Sequence, residues 1–268
     1  MTYKLTYKTK NGLKFLTAEE LLKQHSIFVA FTTREKGASL PPYQSLNLSL
    51  SQGDNPQTVR ENRKILCASL NLDYSRLTMA KQVHSNSVAV IHNNGFTGND
   101  ASQKSVAPVI PEADALVTSL KGVPLALFFA DCLPIVLADP VNKAVAVVHA
   151  GWRGTLTEIA AKALVQMTRV FQSSPSDILV FFGPSIGPCC YEVTPDRLRL
   201  FRENFSAAAV NDTRLNLEKT NQLILENLGV PDENFYSANI CTSCQNSLFF
   251  SYRREKITGR QGALACII

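Results

Sequence analysis

The residues of this 268-residue chain best suited to metal binding or nucleophilic chemistry are four histidines and seven cysteines. His84 ends the run Met79-Ala80-Lys81-Gln82-Val83. His149 ends Ala144-Val145-Ala146-Val147-Val148 and precedes Ala150-Gly151-Trp152-Arg153-Gly154. Cys132 follows Asp131 after the equally apolar Leu125-Ala126-Leu127-Phe128-Phe129-Ala130. All three stand at the ends of strand-like runs, where sheet proteins commonly assemble sites. A His/Cys/His set matches catalytic zinc, which takes three protein ligands and keeps a fourth position for water or substrate. Without a metal, the same residues read as satisfied histidines around a buried thiol, or as a thiolate nucleophile with a histidine base. His25 and His92 lie in polar surroundings and read as surface residues.

The remaining cysteines divide by context. Cys241-Thr242-Ser243-Cys244 is a CxxC without a second CxxC, so a structural zinc there needs two further ligands. A turn and then Phe249-Phe250 follow it rather than a helix, which argues against a thioredoxin-like redox motif and for structural thiols. Cys189-Cys190 follow Gly183-Pro184-Ser185-Ile186-Gly187-Pro188, a stiff loop able to line a pocket, while Cys67 and Cys266 read as core. An anion site is expected where His149 runs into the following helix, because two glycines allow close approach to free N–H groups and Arg153 adds charge. Arg60 and Arg63, after Gly53-Asp54, are further anion candidates. Asp131, beside Cys132, is the nearest candidate acid.

The elements that must position these residues are mostly strands. Expected strands are Phe28–Thr33, Thr78–Val83, Ser87–His92, Ala115–Thr118, Leu125–Ala130, Ile135–Ala138, Ala144–His149, Ile178–Phe182, Phe235–Ile240, Phe249–Tyr252 and Ala263–Ile268. Asp54-Asn55-Pro56 caps a helix running to about Leu70. Thr155 is expected to cap a long helix whose apolar face comprises Leu156, Ile159, Ala160, Ala163, Met167, Val170 and Phe171. Two more helices are expected near Pro195–Phe205 and Leu217–Leu228, and a polar loop over Asn93–Pro108. Strands that follow one another directly predict an α+β (mixed α/β) fold, a single domain over residues 1–268 with mixed sheets flanked by helices.

Composition excludes several classes. A net charge of +5 with no Lys/Arg run argues against a nucleic-acid partner. The longest apolar stretch, Val123–Ala138, carries Asp131 and two prolines and is too short for a span of ~20 residues. The first residues lack the apolar core of a secretory signal, so a cytoplasmic protein without membrane contact is expected. No GxGxxG or GxxxxGK[ST] pattern supports dinucleotide or P-loop nucleotide binding.

Several blocks together resemble the multicopper polyphenol oxidoreductase (laccase-like) family, whose members are regarded as purine nucleoside phosphorylases with adenosine deaminase activity. They are Gly53-Asp54 through Glu61-Asn62-Arg63, Lys81-Gln82-Val83-His84, Ala113-Asp114-Ala115, Ala130-Asp131-Cys132-Leu133-Pro134 and His149-Ala150-Gly151-Trp152-Arg153-Gly154-Thr155. Gly183-Pro184-Ser185-Ile186-Gly187 through Cys190-Tyr191-Glu192-Val193, and Phe250-Ser251-Tyr252-Arg253-Arg254 to Thr258-Gly259-Arg260-Gln261-Gly262, complete the set. The resemblance implies one α/β unit related to toxin-type cysteine-hydrolase folds. It also implies that the histidine of QVH, the cysteine of ADC and the histidine of HAGWRG hold Zn2+, with Cu2+ as the other metal. These fall on His84, Cys132 and His149.

The activities implied are phosphorolysis of adenosine, inosine and methylthioadenosine, and hydrolytic deamination of adenosine to inosine. The implied partners are purine nucleosides and phosphate; Arg63 and Arg153, the anion candidates above, are expected to bind substrate, in a monomer or homodimer. The alternatives are a cysteine hydrolase or amidase editing a peptidoglycan precursor, with Cys132 as nucleophile and His149 or His84 as base, and a copper-dependent phenol oxidase. A metal or thiol-redox module using Cys241 and Cys244 is a non-enzymatic reading. Four scattered histidines are too few for the clustered sites of laccase chemistry. Departures lie at Ser85, where the family has glycine, and at Thr33 to Tyr43, where TREKGASLPPY replaces TRxGGVSxxxY. Both stretches are expected to shape the substrate pocket.

Overall fold

The computed structural model describes residues 3–92, 108–205 and 209–268, and within them the apolar runs become two stacked mixed sheets. The first has seven strands in the order β1 (Thr6–Lys10), β2 (Leu13–Thr17), β3 (Ile27–Thr32), β15 (Gln261–Ile267), β8 (Leu125–Phe129), β4 (Thr78–Ala80) and β6 (Val109–Ile110). The second has six, in the order β14 (Phe235–Ser237), β11 (Leu179–Phe182), β9 (Leu133–Asp139), β10 (Ala144–Ala150), β7 (Ala115–Thr118) and β5 (Val88–Ile91). A small ladder joins β12 (Val210–Asn211) to β13 (Arg214–Leu215). The helices are α1 (Glu19–His25), α2 (Pro56–Leu70), α3 (Trp152–Leu156), α4 (Ile159–Phe171), α5 (Pro195–Asn204), α6 (Leu217–Glu226) and α7 (Tyr252–Glu255).

Side-chain alternation along the strands produces the layering. In β10, Val145 and Val147 face Phe31, Leu127 and Phe129 of the first sheet, so the two sheets share an inner core. Ala144, Ala146 and Val148 face outward against Ile159, Ala163, Leu164 and Met167 of α4. The outer side of the first sheet, with Ala30, Ala126 and Leu264, is covered by Leu66, Cys67 and Leu70 of α2. Strands with both faces covered need no polar side, which explains the unbroken apolar runs of β8, β9 and β10. The order of layers is helix, sheet, sheet, helix.

The expected α+β architecture is the one observed, and α2 starts and stops where its signals lie. The Asn55 side chain accepts from the N–H groups of Gln57 and Thr58, Pro56 fills the first turn, and Asn71 ends the helix in the left-handed conformation.

Other local expectations need correction. Thr155 does not cap a long helix. It lies inside the five-residue α3, its amide donates to the Gly151 carbonyl at 2.8 Å, and its hydroxyl accepts from Asn221 of α6 at 2.9 Å. The chain breaks at Thr157-Glu158, with Glu158 at φ 57°, before α4 begins. Phe249–Tyr252 is no strand: Ser251 accepts from the Arg254 amide and starts α7. The hairpin of β1 and β2 was not expected, although Asn11 and Gly12, both with positive φ, form the Asn-Gly type of turn that joins paired strands. All of β1 is exposed, so it lacks the apolar alternation by which strands are read. The polar loop expected over Asn93–Pro108 lies, apart from Pro108, outside the described residues.

Candidate metal centre and pocket

Among the described residues three connections cross from the first sheet to the second, β4–β5, β6–β7 and β8–β9, and each carries a site residue, the middle one Asp114. Between β4 and β5 runs Lys81-Gln82-Val83-His84, where His84 takes a left-handed φ of 58°. The Gln82 amide anchors this turn to β8, donating to the Phe128 carbonyl at 2.9 Å and accepting from its N–H at 2.8 Å. Between β8 and β9 runs Ala130-Asp131-Cys132, with Asp131 at φ 86°. His149 comes from the end of β10, paired with Pro134, and Ala150 is paired with Leu133, so Cys132 lies at the start of the β9–β10 ladder beside Gly151. The ligand atoms of His84, Cys132 and His149 all lie within 4.8 Å of one another. The two imidazole centroids are 4.8 Å apart.

Asp114, fully buried just before β7, organises this cluster. Its carboxylate accepts from the backbone N–H groups of Val83, His84 and Ser85 at 3.1, 3.1 and 2.7 Å, and from the Ser85 hydroxyl at 2.9 Å. It also lies 2.8 Å from His149 Nδ1. With Nδ1 so engaged, Nε2 is the nitrogen His149 has for ligation, the arrangement by which a carboxylate orients a metal-binding imidazole. The Ser85 hydroxyl therefore adds a side-chain donor to this carboxylate.

The electrostatics follow from these contacts. Burial pushes the Asp114 carboxyl up, but the His149 imidazole and the Ser85 donors outweigh it and hold it at about 2. Burial also raises the Cys132 thiol, yet the His149 and His84 rings pull it below the ordinary thiol range. His149, lowered by burial, is raised on balance by Cys132 and Asp114. Without a metal, these shifts favour a thiolate at the half-buried Cys132 beside a protonated His149, backed by a carboxylate. Two imidazoles and a thiolate are also a donor set that suits zinc or copper. Position 151 fits such a cluster, since a Cβ there would lie 2.9 Å from Cys132 Sγ and 3.3 Å from His84 Nδ1.

A cavity of about 460 Å³ opens over the cluster, within the usual range for small-molecule sites. Phe128, Trp152, Tyr191 and Tyr252 give it aromatic walls, and Arg197, Arg253 and Arg260 give it positive charge. Arg197 stacks 4.0 Å from the Trp152 ring, and Arg253 donates to the Glu192 carbonyl at 2.9 Å. Arg260 is tied to the carbonyls of Thr258 and Gly259, both at 2.9 Å. Asp131 lines the cavity too, but both its oxygens are engaged, by the Thr242 hydroxyl at 2.7 Å and the Arg253 amide at 2.6 Å.

The structure brings His84, Cys132 and His149 together and leaves the two expected substrate arginines outside the cavity lining. Arg63 is buried, donating from Nε to the Leu48 carbonyl at 2.8 Å and lying 5.0 Å from the Phe128 ring. Arg153 is exposed, 4.8 Å from the Trp152 ring, and its helix has only five residues to contribute a dipole. Arg60 is exposed on α2, His92 is exposed, and His25 bonds to the Tyr3 hydroxyl at 2.8 Å. Asp114 and the three cavity arginines received no role from sequence. Asp114 was visible only as the centre of Ala113-Asp114-Ala115, and Arg197 meets Arg253 and Arg260 from a segment far away in the chain.

Fold and site together define an α+β protein with a candidate metal centre where two stacked sheets exchange strands. The chain belongs to the family described as multi-copper polyphenol oxidoreductase laccase, whose model matches residues 28–268. It is similar to the purine nucleoside phosphorylase YlmD of Geobacillus stearothermophilus, 38% identical over 238 residues, covering 85% of this chain and 86% of that protein. It is also similar to the purine nucleoside phosphorylase YfiH of Escherichia coli, 37% identical over 243 residues, covering 88% and 92% respectively. The crystal structure of YlmD from Geobacillus stearothermophilus superposes with a TM-score of 0.87 at 34% identity, covering 97% of this chain and 98% of that one. No helix among the described residues is long and apolar enough to cross a membrane.

Proposed function

We propose that residues 1–268 act as one metal-dependent purine nucleoside phosphorylase domain in the cytoplasm. It would convert adenosine, inosine and methylthioadenosine with phosphate to the base and the (methylthio)ribose 1-phosphate, and would also deaminate adenosine to inosine. The observation that carries this reading is the His84–Cys132–His149 cluster, backed by Asp114 and opening into a pocket of arginines and aromatic rings. The names of the relatives point to the same chemistry. His84, Cys132 and His149 would hold the metal, zinc rather than copper, which when bound supplies Lewis-acid polarisation of a substrate heteroatom.

The chain's own residues supply the rest. Arg197, Arg253 and Arg260 take the phosphate, in place of Arg63 and Arg153, and hold it for attack on the ribose. Trp152 and Tyr191 pack the purine and exclude water. In phosphorolysis a phosphate oxygen bonds to the ribose anomeric carbon while the bond to the purine nitrogen breaks. Its electron pair goes to the purine, and the arginines offset the charge on the phosphate. In deamination water adds to the purine carbon bearing the amino group and ammonia leaves. His149, held by Asp114, stays fixed in one tautomer throughout.

One observation favours a second reading. Cys132, His149 and Asp114 also have the arrangement of a nucleophile, a base and an orienting carboxylate, as a cysteine hydrolase requires. A product screen with nucleosides, with and without phosphate, on protein of measured metal content separates the two. Free purine base formed only with phosphate supports the phosphorylase. No nucleoside turnover by metal-replete protein would rule it out.

A further inference from the structure

A second group of soft ligands lies next to the pocket, and the function above does not use it. Sequence pairs Cys241 with Cys244 and Cys189 with Cys190, about fifty positions apart. The fold joins them. Ser185 and Cys241 form a parallel bridge, with the Ser185 amide donating to the Ile240 carbonyl at 3.2 Å and the Thr242 amide to the Ser185 carbonyl at 2.9 Å. The turn after Gly187 then brings Cys189 and Cys190 back over the CxxC, with the Cys190 amide donating to the Gly187 carbonyl at 3.0 Å. All four sulfurs lie within 4.8 Å of one another. Cys244 is 3.6 Å from Cys189 and 3.4 Å from Cys190, and all four are free thiols.

We propose that Cys189, Cys190, Cys241 and Cys244 form a closed tetrathiolate site for a structural Zn2+ ion, separate from the His84–Cys132–His149 centre. Four zinc–sulfur bonds of ~2.3 Å put tetrahedral sulfurs roughly 3.8 Å apart, close to the separations already present. The two further ligands that the lone CxxC lacks in sequence are the adjacent pair Cys189-Cys190. The Gly187 amide donates to Cys241 Sγ at 3.3 Å, a contact that favours thiolate over thiol. A Cβ at Gly187 would meet Cys189 Sγ at 3.3 Å and the Cys241 Cβ at 3.4 Å, so the loop tolerates little else at this point. Four sulfurs fill a tetrahedral ion completely, which makes the site structural rather than catalytic. Binding displaces protons from the thiols and needs no oxidant or reductant.

The consequence is local rigidity of the pocket. Ile186 and Tyr191 line the cavity and flank the cysteine pair, and Thr242 within the CxxC holds Asp131. Zinc bound here ties two walls of the pocket together.

The test is metal stoichiometry, which needs no activity. His84→Ala/Cys132→Ala/His149→Ala, purified under reducing conditions without added metal, should keep one zinc per chain, with an all-sulfur shell near ~2.3 Å by X-ray absorption. Cys241→Ser/Cys244→Ser should carry one zinc fewer than the unmutated protein. On the unmutated chain, titration with a mercurial should release this zinc as the four thiols react, a measurement that does not depend on any variant folding. The proposal is overturned if the folded triple variant carries no zinc or carries iron, if the two cysteine changes leave the stoichiometry unchanged, or if the four residues emerge as disulfides.

Discussion

Gly151 and Cys132 stand so close across the start of the β9–β10 ladder that a single added carbon on the glycine would lie 2.9 Å from the cysteine sulfur. The same carbon would approach His84 at 3.3 Å, so this glycine sets the space in which the cluster closes. Gly151→Ala is expected to displace the thiol and to destabilise the fold by the ~1–3 kcal/mol of an overpacked site. Zinc affinity, measured by chelator competition, should fall at least tenfold. Unchanged affinity would separate Cys132 from the metal.

Asp114 connects the same cluster to the backbone of the QVH turn. Asp114→Asn should weaken metal binding by about 10–100-fold through the loss of the carboxylate behind His149. It should also cost ~1.5–3 kcal/mol in urea unfolding, as for a hydrogen bond to a charged group. The carboxyl sits at about 2 in the fold, below the 3.8 of a free side chain. Its contribution is therefore present above about pH 4 and is lost as the pH falls toward 2. The variant's unfolding should lack that component, and an identical acid profile would count against the assignment.

Phosphate handling distinguishes the cavity arginines from the expected ones. Arg197→Ala or Arg260→Ala should raise the phosphate KM by roughly 10–150-fold, equivalent to ~1.5–3 kcal/mol for a charge-assisted bond. Deamination, which consumes no phosphate, should suffer less. Arg63→Ala should instead lower stability by ~1–3 kcal/mol, since it leaves the buried Leu48 carbonyl without its donor. A large phosphate KM effect confined to Arg63 would reverse this picture.

Cys132→Asp separates the ligand from the nucleophile. A carboxylate oxygen can replace sulfur on zinc at ~2.0–2.2 Å, so some metal and a little activity should persist if Cys132 is a ligand. A nucleophilic thiolate has no such substitute, and its loss abolishes turnover. Chelation of the unmutated protein provides the converse comparison. Full activity after verified zinc removal, abolished by a thiol alkylating agent, would establish the hydrolase reading.

The strands that carry the site were legible because β8, β9 and β10 are buried on both faces and need no polar alternation. The cap of α2 was equally plain in Asn55 and Pro56. His84, Cys132 and His149 stood out as strand-end residues, yet their spacings of 48 and 17 residues carry little information, and the family blocks gave the grouping its weight. Arg197, Arg253 and Arg260 were illegible because α5, α7 and the segment after α7 meet over the pocket only through tertiary packing. Thr155 misled because its hydroxyl accepts a bond from α6 instead of capping its own helix. Cys189 and Cys190 acquire meaning only through the Ser185–Cys241 bridge.

The crossovers that hold His84 and Cys132 also govern how the molecule can deform. Any shear of one sheet against the other pulls directly on the backbone of β4–β5 and β8–β9, so the cluster cannot keep its spacing while the sandwich slips. Phe31, which packs from the first sheet onto Gly183 at the end of β11 in the second, is one of the contacts that resist such slip. Trimming it to alanine, far in sequence from every residue of the cluster, should loosen the grip on metal before the protein unfolds. In this fold the distance between sheets is a coordinate of the active pocket.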